Sequence, residues 1–219
     1  VILPATLAAM KLGIRAGWKP DPVPARAAAA AYPAAYSRIV STPRVTGDNT
    51  RLSDCFPTAC CNAVEDWVYR LNDRCDITVP DADAIAAYEG MAGYVPSDPA
   101  TDLGTVPSTG LAWWMNNPIA GYRLKMATPI NPQAEADLRS AISRGPVLLC
   151  MELSVENQNQ RVLTGVGIPG SWGGHAVCVD GYDGEITSGT SWGEPFYLDR
   201  SFFAVGMAVA AYALDLIPT

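Results

Sequence analysis

From Phe56 to Leu71 the apolar residues Cys60, Val64, Trp67, Val68 and Leu71 recur at helical spacing and fall on one face. Asp54 stands where an N-cap belongs, and Pro57 sits in the first turn, where its missing N–H is harmless. A second helix is predicted from Pro80-Asp81 to about Met91, and a short third over Leu111–Met115. Tyr122–Met126 alternates as a strand does. Asn131-Pro132 then opens a helix with Ala134, Leu138, Ala141 and Ile142 on one face, stopped by Gly145. Pro146–Leu153 is a continuous apolar run and reads as a buried strand. Beyond Gly173, three strand-like stretches are broken by Gly181, Gly184, Gly189 and Gly193. The 13 residues Phe202–Leu214, rich in Ala, read as a buried terminal strand or helix. They fall short of the roughly 18 residues that a membrane span needs. Helices first and strands later make an α+β organisation in two lobes, a mainly helical one over 46–120 and a mainly β one over 121–219. There are no internal repeats.

A chain of 219 residues with 49% apolar content can bury one sizeable core or two small ones. Only 17% of it is charged, and it carries 6 Trp and 9 Tyr, which argues against a disordered chain. The net charge of −7 disfavours binding to nucleic acid. Residues 1–45 depart from the rest. They carry +5, against −12 for residues 46–219, and contain Pro4, Pro20, Pro22, Pro24, Pro33 and Pro43. This segment reads as an extended basic arm without a core of its own, with room for a short helix around Ala25–Ala31. Its large apolar side chains would be wasted in water. The arm is therefore expected to dock on an acidic, apolar-lined surface through Leu3, Leu7, Leu12 or Trp18. The start at Val1 shows no charged n-region or cleavage site of a secretory signal.

The six cysteines show no C-x-x-C spacing, and His175 is the one histidine, so no metal site or cofactor is expected. Cys150 and Cys178 lie in apolar runs and read as small buried hydrophobes. Cys60, Cys61 and Cys75 could pair, although nothing in the sequence demands it. The usage leans toward a reducing, intracellular compartment.

Cys55 begins the first helix. Its first-turn N–H groups and dipole favour an anion, which can activate a thiol as a nucleophile. Asp54 works against this, because a neighbouring carboxylate raises a thiol's pKa. Cys55 can equally be structural. His175 opens the stretch His175-Ala-Val-Cys-Val-Asp-Gly-Tyr182, and a histidine beside an apolar run is commonly a satisfied core residue. If Cys55 needs an imidazole base, His175 is the candidate. Thr190-Ser191-Trp192-Gly193 should lie on a neighbouring strand, where a polar side chain could hold the second imidazole nitrogen and the Trp could shield it.

Gly174-His175-Ala-Val, then Gly181-Tyr182-Asp183, then Ser191-Trp192-Gly193-Glu194 resembles the C-terminal half of papain-like cysteine peptidases. The Cys55 segment resembles divergent bacterial and bacteriophage-encoded members, in Ala59 and Glu65 after the cysteine. Asn49 lies where the family has the Gln of its oxyanion hole. The Cys55–His175 gap of 120 residues is near the roughly 130–150 of the family. The resemblance covers about residues 46–216. Phage-encoded relatives also tend to begin with an arm like Lys11-Leu12-Gly13 followed by Pro- and Arg-rich sequence.

This resemblance implies a two-lobe fold and a cysteine endopeptidase acting on protein or peptide substrates. Cys55 would be the nucleophile and His175 the base. Thr190 would orient the imidazole, and Asn49 and the Cys55 N–H would hold the oxyanion. Three departures, Thr190 for Asn, Asn49 for Gln and Phe56 for Trp, point to weakened activity. The alternative is a catalytically impaired component of a bacteriophage particle, located in the virion or the host cytoplasm. There the arm would clasp neighbouring subunits in a homo-oligomer or virion and leave the cleft open. As a pro-segment it would cross the cleft instead. Assembly is favoured, since the arm lacks the long helix of a folded inhibitory pro-segment. No membrane partner is expected. In the loops Tyr94–Thr109 and Val155–Ser171 no charged residue is placed to select a side chain, and Asp98, Asp102, Glu156 and Arg161 read as solvated. Trp113-Trp114 reads as core between the lobes.

Overall fold

The computed structural model describes residues 13–15, 18–20, 31–36, 51–71, 77–191 and 194–219. Among the described residues, three α-helices come first: α1 (Cys55–Leu71), α2 (Asp81–Ala92) and α3 (Pro107–Asn116). Strand β1 (Tyr122–Ile130), helix α4 (Glu135–Ile142) and strands β2 (Val147–Leu153), β3 (Gly173–Asp183), β4 (Ile186–Ser191) and β5 (Glu194–Asp199) follow. A short helix α5 (Arg200–Ala204) and strand β6 (Ala208–Pro218) complete the order. The strands form one sheet in the order β1-β6-β2-β3-β4-β5, with every neighbouring pair antiparallel.

The apolar run of β2 is continuous because both faces of the sheet are covered. Leu148 and Cys150 join Ala176 and Cys178 of β3 and Ala210 and Tyr212 of β6 against helices α1–α3. Val147, Leu149, Met151 and Leu153 join Val177 and Val179 in a second core, with Leu138 and Ile142 of α4 and Phe202 of α5. Trp114 is fully buried in the first core, and its indole N–H donates to the Tyr122 carbonyl at 3.0 Å.

Helix α1 is not a one-sided amphipath. Every residue from Cys55 to Asp66 is buried. Its buried carboxylates are engaged: Glu65 accepts the Val79 N–H at 2.9 Å, and Asp66 pairs with Arg70 at 3.1 Å. Leu71, expected on the packed face, is 60% exposed because the helix end runs off the core. Gly181 and Gly189 do not break strands. They lie inside β3 and β4, next to an irregularity in register, and a Cβ at Gly189 would collide with the Cys178 carbonyl. Gly184, at φ +54°, makes the hairpin turn. The terminal apolar run is both elements at once, helix α5 and then strand β6.

Among the described residues, the arm touches its own chain through Gly13–Arg15, Trp18 and residues 31–36. Tyr36 and Tyr182 exchange both backbone hydrogen bonds, at 2.9 and 2.6 Å. Gly13–Arg15 run between Thr105 and Gly174. Trp18, one expected anchor, is partly buried against the first core. Leu3, Leu7, Leu12 and residues 25–30 of the expected short helix lie outside the described residues, as do Cys75, Asn49, Trp192 and Gly193.

Candidate active site

Cys55 is the first residue of α1, fully buried where the helix end meets β3 and the arm. Burial pushes its thiol up to about 12. The backbones of Ala176, Gly13 and Phe56 hydrogen-bond the sulfur and act the other way, while Asp54 raises the value as its charge dictates. Ala176 directly follows His175 on β3. The sulfur therefore lies against the strand residue that follows His175; burial, these backbones and Asp54, not the imidazole, are what act on it.

His175 is also fully buried, and burial pushes its imidazole down to about 3. Its Nε2 is 2.7 Å from Ser191 Oγ. Ser191, not Thr190, is the side chain on the imidazole. Successive strand residues point to opposite faces, so the two cannot both reach it. Register sets Thr190 opposite Cys178, which packs in the α1-side core. The Thr190 expectation is thus corrected by one residue. The sequence showed that one of the adjoining pair Thr190 and Ser191 had to face away, but not which.

A track for an extended chain runs past Cys55. Thr105 N–H donates to the Gly13 carbonyl at 2.7 Å, Arg15 N–H donates to the Thr105 carbonyl at 3.2 Å, and Ile14 N–H donates to the Gly174 carbonyl at 3.1 Å. The body clears the way with glycines. A Cβ at Gly104 would strike the Gly13 carbonyl, and one at Gly174 would come within 2.8 Å of Ile14 Cβ. At Gly13–Arg15 the arm lies along this track beside Cys55, where an assembly arm was expected to stay clear of it.

Asp102 was expected in solvent but is half-buried and ties the track to the loop that precedes Cys55. Its Oδ1 accepts the Ser53 N–H at 2.8 Å and the Tyr88 O–H at 2.9 Å. The Tyr88 oxygen in turn accepts the Gly104 N–H at 2.8 Å. Cys60, Cys61, Cys150 and Cys178 are buried and in no disulfide, and burial pushes the thiols of Cys60, Cys61 and Cys150 up.

No protein-family model matches the chain, and no curated protein does. Solved structures do. Xylellain, a cysteine protease from Xylella fastidiosa, is similar over 94% of this chain and 98% of its own, with a TM-score of 0.64 at 14% identity. The fold is papain-like. A recombinant stem bromelain precursor matches 100% of this chain and 80% of its own, with a TM-score of 0.64 at 13% identity. Digestive procathepsin L 3 of the Tenebrio molitor larval midgut matches 96% and 78%, with a TM-score of 0.63 at 15% identity.

Proposed function

We propose that the chain is a papain-like cysteine endopeptidase held latent by its own arm. The observation that carries this reading is the meeting of three features at one place. A cysteine at a helix N-terminus lies against the residue following a serine-held histidine, and a backbone track passes over it. Cys55 would give its proton to the imidazole of His175, once release of the arm lets ring and sulfur meet, and attack a peptide carbonyl. The tetrahedral oxyanion would form at the α1 N-terminus, where the Cys55 N–H points, with the Asn49 amide as the second donor that the family resemblance implies. Collapse passes the proton from His175 to the leaving amine and leaves a thioester, which water hydrolyses. Ser191 positions the imidazole through Nε2 throughout.

Latency follows from burial. Burial pushes the thiol up and the imidazole down, which opposes a thiolate–imidazolium pair while the arm is in place. Release of the arm admits water and a substrate strand together. Hydrolysis of an unstructured protein under reducing conditions, by the chain with its arm loosened by Ile14→Asp, tests the reading. Cys55→Ala should abolish turnover while leaving the fold and its melting temperature within a few degrees. Equal turnover in the variant would end the proposal.

A further inference from the structure

Beside Ile14 the track opens into an unfilled groove of about 470 Å³. Leu103, Met151, Trp172 and Val209 give it apolar walls, and Asp102 and Glu152 are the carboxylates that line it. The two carboxylates differ. Asp102 is consumed by the Ser53 N–H and the Tyr88 hydroxyl. Glu152 stands at the end of β2, where its own N–H is used on the Met207 carbonyl. Its half-buried side chain borders Gly170, where an added Cβ would sit 3.5 Å from Oε2. Among the described residues, no cation pairs with the Glu152 carboxylate. The cation that lines the groove, Arg15, belongs to the arm.

We propose that Glu152 selects a basic side chain in the peptide that replaces the arm. This deepens the peptidase reading above and rests on it. A substrate strand held by Thr105 and Gly174 would run where Gly13–Arg15 now lie. A Lys or Arg flanking the Ile14 position would lay its methylene stem along Leu103, Met151 and Trp172. Its charged head would reach Glu152 in a charge-assisted hydrogen bond. The apolar walls alone accept any aliphatic side chain; the carboxylate at their end discriminates. Sequence reading missed this residue because it looked for charge in the loops, and Glu152 is on a strand.

A peptide mixture randomised on both sides of the scissile bond, digested by the full chain and mapped by mass spectrometry, tests the proposal. Lys and Arg should be enriched about tenfold at one fixed position within three residues of the cut. Glu152→Gln should remove the enrichment while the other positions keep their pattern, and Glu152→Lys should turn it toward Asp and Glu. Cleavage without basic enrichment, or enrichment unchanged in Glu152→Gln, overturns the selectivity and leaves the peptidase reading standing. If neither the wild type nor a chain with the arm loosened by Ile14→Asp cuts any peptide, the peptidase reading falls and the selectivity goes with it.

Discussion

The arm meets strand β3 at both of its ends, and the two contacts are built differently. At the Tyr182 end, two backbone hydrogen bonds join Tyr36 to Tyr182, and the Tyr182 hydroxyl donates to the Pro33 carbonyl at 3.0 Å. Tyr32 packs edge-on against the Tyr182 ring at 6.2 Å, and Arg70 lies over Tyr36 at 4.9 Å. Side chains from both partners interlock there. At the Gly174 end the body offers mostly backbone and glycine. Ile14 is the buried side chain of that contact, with an unfilled groove beside it. One end is an anchor and the other a latch. A segment that must leave a cleft is held best by backbone hydrogen bonds, each worth about 1 kcal/mol net, because a substrate strand replaces them in kind.

Two substitutions separate these roles. Ile14→Asp sets a carboxylate in an apolar site, a cost of several kcal/mol that exceeds what the latch's few hydrogen bonds return. Hydrolysis of an unstructured substrate should rise about 100-fold, with the melting temperature little changed. Tyr182→Ala empties a fully buried aromatic position and should destabilise the whole chain by about 3–5 kcal/mol in denaturant unfolding. If the two variants lose equal stability and neither gains activity, the arm is a uniform structural strap.

Much of this was legible in the sequence, and the failures have physical causes. The start of α1, with Cys55 as its first residue, the apolar run of β2 and the strand that carries His175 follow from local pattern. The orienting residue was misread by one position because strand phase is fixed by pairing with β3, which local sequence does not carry. Gly181 and Gly189 read as breaks because a glycine that makes room for a neighbouring backbone looks the same in sequence as one that turns. The arm's course was hidden because backbone hydrogen bonds leave no periodicity.

The same phase argument yields a smaller effect. Ser191→Ala should lower kcat about tenfold by freeing the imidazole to rotate, and Ser191→Asn should restore most of it. Thr190→Asn, facing the α1-side core, should cost stability without raising kcat. Steady-state kinetics on the three variants decides between the two positions.

Acid should weaken the latch gradually. The folded chain keeps His175 neutral down to about 3, against an ordinary 6.5 once it is hydrated. The open or unfolded chain therefore binds more protons between those values. Stability from this group is full above about 6.5 and falls as the pH drops, by up to about 1.4 kcal/mol per unit. Cys55 acts at the other extreme, since its contribution is lost as the pH rises above 9.0 toward about 12. Denaturant midpoints across pH 4–10 should trace a plateau falling at both ends. His175→Gln should flatten the acid limb.

The rate of Cys55 alkylation by iodoacetamide, read by mass spectrometry at pH 5.5, tests the account most directly. A free thiol is almost unreactive at that pH, whereas a thiolate paired with imidazolium reacts fast. The account predicts slow labelling in the wild type, labelling at least 100-fold faster in Ile14→Asp, and loss of that gain when His175→Gln is added. Labelling in Ile14→Asp that stays slow, or that persists without the histidine, would contradict a Cys55–His175 pair kept latent by the arm.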